Sequence, residues 1–356
     1  MPDNSKPLEG AELYRVVATM VLDHMESHQG EAFSFDDMCR WIGTGPNSEA
    51  RKCVSDCLRR QAVKGTLEKD KTTRGSLYRY VCRDKKHIDW VSAVPDDELP
   101  IRWPRARAKG DATVFEFHNR ISVRPNDLIV ISGASNSGKS TFARNFMAEN
   151  IDAWDGKIQM MVNEFSPGRF KTTIQRMNWV SMVYDDGSPR FELIERTEDW
   201  QDIIQPDGIN IIDWIGLGDN FYRIRTVLGS IQSKLNGGIA MVMLQKSKDK
   251  QYGEGGGFGE HLAAVYLSID FGRLTVMKIK EPKGGNDLIG KVYGFDIVDG
   301  AAFSNIRRVV PCTKCSGRFG KTAGCDTCQG TGFVSLTAIR APFPEDERVR
   351  QGYFGD

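Results

Sequence analysis

Apolar positions recur along this chain with a helical rhythm first and a strand-like rhythm later. Between residues 11 and 28, Leu13, Val16, Val17, Met20, Val21 and Met25 fall at helical spacing and predict an amphipathic helix. Ser34 then reads as the cap of a short helix over residues 36–42. Past the breaker GTGPNS, a third and more basic helix is expected over about 49–61. Two extended pieces follow, 65–67 and 77–81, joined by the charged turn KDKTTRG. Residues 90–110 carry Pro95, Pro100, Pro104 and the run RWPRARAK, and read as a linker. TVFEF and RISVRPNDLIVIS then give a strand-rich approach to the longest apolar and polar alternation in the chain. There, strands are expected at 128–132, 157–163, 191–194, 209–213, 239–244 and 265–269, with helices between them, notably at 221–235. That alternation predicts an α/β fold, a parallel sheet with helices on both faces. Two last strands, 274–280 and 291–297, flank KEPKGGNDLIG.

Composition narrows this only slightly. With 40% hydrophobic and 27% charged residues in 356, the chain has a globular balance and room for several domains. The boundaries expected are 1–90, a basic linker at 91–111, a core at 112–303, a cysteine module at 304–336 and a tail at 337–356. No apolar run approaches the ~18 residues of a spanning helix, and the polar start MPDNSKPLEG is no signal peptide, so a cytoplasmic protein without a membrane partner is expected. The formal charge of +1 hides a local excess: from Asn47 to Asp89 there are twelve Lys/Arg against six Asp/Glu. Such a patch, rather than net charge, is what attracts a polyanion. Cys39, Cys53, Cys57 and Cys82 are expected as buried thiols. His24 and His28 share a helix face, but no third ligand accompanies them.

The stretch DLIVISGASNSGKSTFARNF carries the chemistry. An apolar strand leads into Gly133, Ala134, Ser135, Asn136, Ser137, Gly138, Lys139 and Ser140, which fit G-x-x-x-x-G-K-[ST], and Thr141 continues into a helix. Such a loop turns backbone N–H groups toward phosphate oxygens where orphan donors and the helix dipole both favour anions. ATP is the expected ligand, with Lys139 reaching its β/γ-phosphates and the Ser140 hydroxyl holding Mg²⁺.

VRPNDLIVISGASNSGKSTFARNF resembles the opening of the RecA-type ATPase core, nearest in style to DnaB-type replicative helicases, over about residues 112–298. The resemblance implies that Glu164 in MMVNEFSP orients the attacking water. It likewise implies that Asp213 in GINIIDW supports Mg²⁺, and that Gln245 in MVMLQKS senses the γ-phosphate. By the same likeness, WIGLGDN (214–220) and SKDKQYGEGGGFGEH (247–261) correspond to loops that face a central channel and contact single-stranded DNA, and the resemblance implies a homo-oligomeric ring such as a hexamer. Lys246, Lys248 and Lys250 would meet phosphates, and Tyr252 and Phe258 would offer stacking surfaces on a flexible, glycine-rich loop. Where that family places a Lys-x-Arg pair, this chain has KIKEPKGG. Lys280 and Lys283 are the nearest cations to that position, and Arg273 is another candidate for reaching a neighbouring subunit's nucleotide. Loss of the Arg would permit binding and oligomerisation with weak turnover.

Two terminal modules complete the reading. Three helices and a basic hairpin resemble a winged helix-turn-helix, with Arg51, Lys52, Arg59 and Arg60 on the recognition helix and Lys69, Lys71 and Arg74 in the wing, suited to duplex DNA. Near the end, Cys312, Cys315, Cys325 and Cys328 form two C-x-x-C pairs nine residues apart, a spacing suited to a structural Zn²⁺. CDTCQGTG resembles the knuckle of DnaJ-type zinc modules, and Arg307, Arg308, Lys314, Arg318 and Lys321 suggest a contact with nucleic acid or another partner. The expected function is ATP hydrolysis coupled to DNA, as a helicase or translocase in phage or mobile-element replication. A non-unwinding recombination or repair factor and a nucleotide-sensing DNA-binding regulator stand beside it. A small-molecule P-loop kinase is disfavoured by Glu164 and by the late lysine- and glycine-rich loop.

Overall fold

The computed structural model describes residues 10–28, 32–46, 48–72, 75–81, 91–92, 97–163, 166–216, 223–247, 250–315 and 324–336, with backbone alone for 70–72, 75 and 76. The chain divides between Ala93 and Val94 into two units.

The first unit runs α1 (Gly10–Ser27), β1 (Ala32–Ser34), α2 (Phe35–Ile42), α3 (Glu49–Val63), β2 (Leu67–Thr72) and β3 (Gly75–Tyr80). Ser34 starts α2 with a reciprocal cap: its hydroxyl accepts from the Asp37 N–H, and the Asp37 carboxylate accepts from the Ser34 N–H. Gly43 ends that helix at φ 74°, where a side chain would be strained. Val17, Val21 and Met25 of α1 meet Met38 and Cys39 of α2 and Cys53, Val54, Cys57 and Leu58 of α3 in one core. The three thiols are buried, as expected, and Cys82 lies outside the described residues. β1 was not anticipated; it pairs with β3, giving a sheet ordered β1-β3-β2. The charged segment expected as a turn is mostly strand, because Thr72 already pairs with Gly75 in a tight antiparallel hairpin.

The second unit is built on one ten-stranded sheet. Its elements are β4 (Leu128–Gly133), α4 (Lys139–Asn150), β5 (Ile158–Val162), α5 (Pro167–Arg176), β6 (Glu192–Glu195), a 3₁₀ turn (Trp200–Ile203), β7 (Ile209–Ile215) and α6 (Ile224–Gln232). Then come β8 (Ile239–Gln245), α7 (Phe258–Leu262), β9 (Val265–Asp270), β10 (Arg273–Ile279), β11 (Val292–Val298), β12 (Ala302–Pro311) and β13 (Phe333–Ser335). The order is β13-β12-β11-β10-β9-β4-β8-β7-β5-β6. From β9 through β6 the neighbours are parallel; from β9 to β13 they are antiparallel. The expected parallel sheet is therefore one part of a mixed sheet. Short connections such as 271–272 and 299–301 leave no room for a crossover, so the late strands can only turn back on their neighbours.

The central strands are buried on both faces, which is why they read as continuous apolar runs. Ile129 and Ile131 of β4, Met241 and Met243 of β8 and Leu267 of β9 face the layer that contains Phe142 and Phe146 of α4. Leu128, Val130, Val242, Leu244 and Tyr266 face the layer that contains Leu228 and Ile231 of α6. Residues 97–107, expected as part of a linker, belong to this packing instead. Trp103 is fully buried edge-on against Phe117 and Phe146, and the Arg102 N–H donates to Asn150 Oδ1 at 2.8 Å. Prolines exclude a helix there, but an extended segment still inserts a tryptophan. The TVFEF segment likewise buries Phe115 and Phe117 without becoming a regular strand. Among the described residues, no helix is long and apolar enough to cross a membrane.

Candidate functional site

β4 ends at Gly133, where the chain turns through 134–138 into α4, and the parallel neighbour β8 brings Gln245 alongside Gly133. The turn is tight. A Cβ on Gly133 would sit 2.6 Å from Ser137 Oγ and 2.8 Å from Lys139 Cγ, so only glycine fits. Asn136 holds φ 60° and Gly138 φ 104°, and Gly138 enters α4 with no side-chain cap, leaving the first N–H groups of that helix without a capping side chain. Ser135 and Asn136 are exposed, whereas Ala134, Ser137 and Lys139 are buried. Lys139 Nζ donates to Gly133 O at 2.7 Å, Ala134 O at 2.9 Å and Gln245 Oε1 at 3.0 Å. Burial lowers its ammonium to about 8, against the pull of Asp213. The buried Ser137 hydroxyl has no hydrogen-bond partner among the described residues.

Ser140 Oγ donates to Asp213 Oδ1 at 3.0 Å. Burial raises the Asp213 carboxyl, opposed by the Ser140 hydrogen bond and the charges of Arg144 and Lys139. Asp213 stands at a bulge: the β7–β8 register shifts between Ile212 and Ile215, and Trp214 takes φ 137°. Its carbonyl is held by Asn163 Nδ2 at 2.8 Å, from the residue after β5. The structure thus brings Lys139, Ser140, Asp213 and Gln245 together at the carboxyl ends of β4, β7 and β8, the edge where open α/β sheets place ligands. Thr141 stands apart from them, its hydroxyl donating to Gly300 O at 3.3 Å. Glu164 lies outside the described residues, as do Lys248 and residues 217–220.

The 250–257 loop differs from expectation. Lys246 is buried, with Nζ 2.8 Å from Asp270 and donating to Ser268 Oγ at 2.9 Å, so it does not face an external phosphate. Gln251 O accepts from Ser268 Oγ at 2.9 Å, and Gly253 N–H donates to Tyr266 Oη at 2.9 Å. A Cβ on Gly253 would lie 2.7 Å from Leu244 Cβ, so this glycine allows close approach to the sheet. Tyr252 packs edge-on against Tyr266; Phe258 and Lys250 remain exposed.

The basic groups proposed for external contacts are largely engaged within the chain. Arg51 lies 4.8 Å over the Phe35 ring and pairs with Asp36, Arg60 lies 4.7 Å over Tyr14, and Lys69 lies 5.6 Å over Tyr78. Lys52 and Arg59 stay on the exposed face of α3, Arg59 pairing with Asp56 at 3.3 Å. The side chain of Lys71 and all of Arg74 lie outside the described residues. Arg107 grips Glu149 at 2.7 and 2.6 Å. Arg273 lies 4.4 Å over the Phe333 ring and Lys283 pairs with Glu98, while Lys280 is exposed.

A second cluster closes β12 and β13. The Sγ atoms of Cys312, Cys315, Cys325 and Cys328 lie within 4.8 Å of one another, with Cys312–Cys325 at 3.8 Å and Cys315–Cys328 at 3.6 Å. Thiolates at about 2.3 Å around a tetrahedral ion would be about 3.8 Å apart, so this geometry can hold a metal ion. Gly332 N–H points at Cys328 Sγ at 3.3 Å, the backbone donor that the glycines after each pair permit. Among the described residues it is the one such cluster; His24 and His28 stack on each other at 4.0 Å instead. Arg307 and Arg308 approach Asp296 and Glu116, Lys314 pairs with Asp326, and Arg318 and Lys321 lie outside the described residues.

Sequence reasoning missed Arg144, which lies four residues after Ser140 and so shares its helix face; that spacing was the available signal. It lines a cleft of about 360 Å³ with Ser140, Asp213, Trp214 and residues of α5. No protein-family model matches this chain, and no curated protein matches it.

Proposed function

We propose that this protein is a cytoplasmic ATP-hydrolysing, DNA-binding protein with a RecA-type core resembling DnaB-like helicases. The observation that carries the proposal is the convergence of Lys139, Ser140, Asp213 and Gln245 around a glycine-shaped loop. The partnerless Ser137 hydroxyl and the α4 N–H groups without a capping side chain suit a phosphate oxyanion. In this reading Lys139 exchanges its carbonyl partners for β/γ-phosphate oxygens, which releases Gln245 to answer the γ-phosphate. Ser140 and Asp213 would hold Mg²⁺, which supplies charge neutralisation at the transferring phosphoryl group. Glu164 would orient the attacking water, an effect worth about 10²–10⁴-fold. The four cysteines would hold Zn²⁺ as a structural site, since a closed Cys₄ set leaves no open position. The α-β-α-α-β-β order of the first unit supports a winged-helix reading, with exposed Lys52 and Arg59 toward duplex DNA. A homo-oligomeric ring, with Lys280 reaching a neighbouring nucleotide, completes the motor reading.

ATP turnover with and without single-stranded DNA, together with strand displacement, tests this. DNA-stimulated turnover with unwinding is the expected result, and Glu164→Gln should keep ATP binding while losing turnover. Turnover indifferent to DNA would overturn the motor. A second reading, a nucleotide-sensing DNA-binding regulator or a non-unwinding recombination factor, is favoured by one observation: Lys246, Arg273 and Lys283 are engaged inside the chain. Slow turnover without strand displacement would select it.

A further inference from the structure

The cleft beside Ser140 and Asp213 has a floor of Met160 and Val162 from β5 and one wall from α4. Its other wall is Ser166 and the helix it precedes, α5, with Arg169, Phe170 and Thr173. Arg144 projects into it from α4, four residues past Ser140, and makes no hydrogen bond or ion pair among the described residues; its buried Nε is partnerless. Asp213 acts on it only through space. Arg144 is half-buried: its Nε is enclosed without a partner among the described residues, and its side chain lines the cleft, where an anion could meet its charge. Arg169 faces the same space from α5, also without an ion pair among the described residues. The two cations, the Ser166 and Thr173 hydroxyls and the Phe170 and Trp214 rings together describe a polar-ended, aromatic-sided cleft.

We propose that this cleft is a second anion site, adjoining the 133–140 loop at Ser140, which binds a phosphate group against Arg144 and Arg169. The proposal rests on the reading of 133–140 as the nucleotide loop only for its role, not for its chemistry. Adjacent to Ser140 and Asp213, the cleft can receive either the orthophosphate released by hydrolysis or the phosphate of a second ligand.

Titration calorimetry of the full chain with inorganic phosphate tests it. Wild type and Lys139→Ala should both bind phosphate, because Lys139→Ala removes only the loop component. Arg144→Met and Arg169→Gln should each weaken the remaining binding by about tenfold or more, the worth of a charge-assisted contact. Arg144→Met should leave the thermal midpoint unchanged, since it removes no hydrogen bond or ion pair among the described residues; a lowered midpoint would assign Arg144 a structural role and overturn the proposal. Phosphate binding that vanishes in Lys139→Ala but survives in Arg144→Met would place the anion on the loop and overturn it, leaving the nucleotide reading intact. Absence of phosphate binding to Lys139→Ala would overturn it as well. If ATP fails to bind while the cleft still takes phosphate, the nucleotide reading fails alone. Comparison with AMP separates the sources: equal or stronger binding of inorganic phosphate assigns the free product, and about tenfold preference for the phosphomonoester assigns a second ligand.

Discussion

Lys246 illustrates how one residue can look alike and act differently in sequence and in space. In the string QKSKDK it is one of several loop cations, yet its side chain is 1% exposed while that of its partner Asp270 is 31% exposed. The two ends of the pair therefore differ in what their loss leaves behind. Asp270→Asn strands a buried ammonium and should lower stability by about 3–5 kcal/mol. Lys246→Met leaves a carboxylate that water already reaches, and should cost about 1–2 kcal/mol. Urea unfolding of both variants checks the order; equal losses would mean that Ser268 or water takes the place of Asp270 beside the Lys246 ammonium. Lys139 and Ser140 could be placed together from G-x-x-x-x-G-K-[ST], and Asp213 and Gln245 near them from the resemblance, because each lies at or near the end of a buried apolar strand. Arg144, Trp214 and the Lys246–Asp270 pair were not, since their roles depend on which strand lies beside which.

Among elements, α2 offers the clearest link between a local pattern and its energy. Its cap joins Ser34 and Asp37, and the Ser34 hydroxyl, followed by its backbone N–H, holds the Asp37 carboxyl below its ordinary value. A lowered folded pKa means that the unfolded chain binds the proton more tightly. The stabilisation is therefore complete above about pH 4 and declines as pH falls through the depressed Asp37 value. Ser34→Ala should cost about 1 kcal/mol at pH 7 and flatten that acid limb of the stability profile. Thermal melts of both forms from neutral to acid pH check this; an unchanged limb would remove the cap as its source. The apolar runs of β4, β7, β8 and β9 were readable to within a residue or two because both faces are buried. α5 and β12 were not. α5 buries no residue fully, and the long β12 is only partly buried and ends at the cysteine module, which masked it as part of that module.

At the scale of the whole molecule, the Cys₄ cluster is attached through β12 and β13, whose pairs Val309–Ser335 and Pro311–Phe333 continue the main sheet. Apart from the four sulfurs, its own core has only half-buried Val334, too little to hold it by burial. Metal analysis should find about one Zn per chain. Chelation or Cys325→Ser should remove it and expose the β12–β13 amides to hydrogen exchange, while β4 and β8 stay protected. A metal-free chain with β13 still protected would refute the metal requirement.

Gly138 is held from two directions. Its φ of 104° suits the turn into α4, and a Cβ there would lie 2.8 Å from Ile297 Cδ1 of β11. Gly138→Ala should therefore lower the thermal midpoint of the ligand-free protein, a loss that phosphate recognition alone would not produce. The second glycine of the loop is thus under a packing constraint that is blind to nucleotides. A descendant whose loop bound no nucleotide at all would still be held to it, so this glycine can persist in a sequence for reasons of backbone conformation alone.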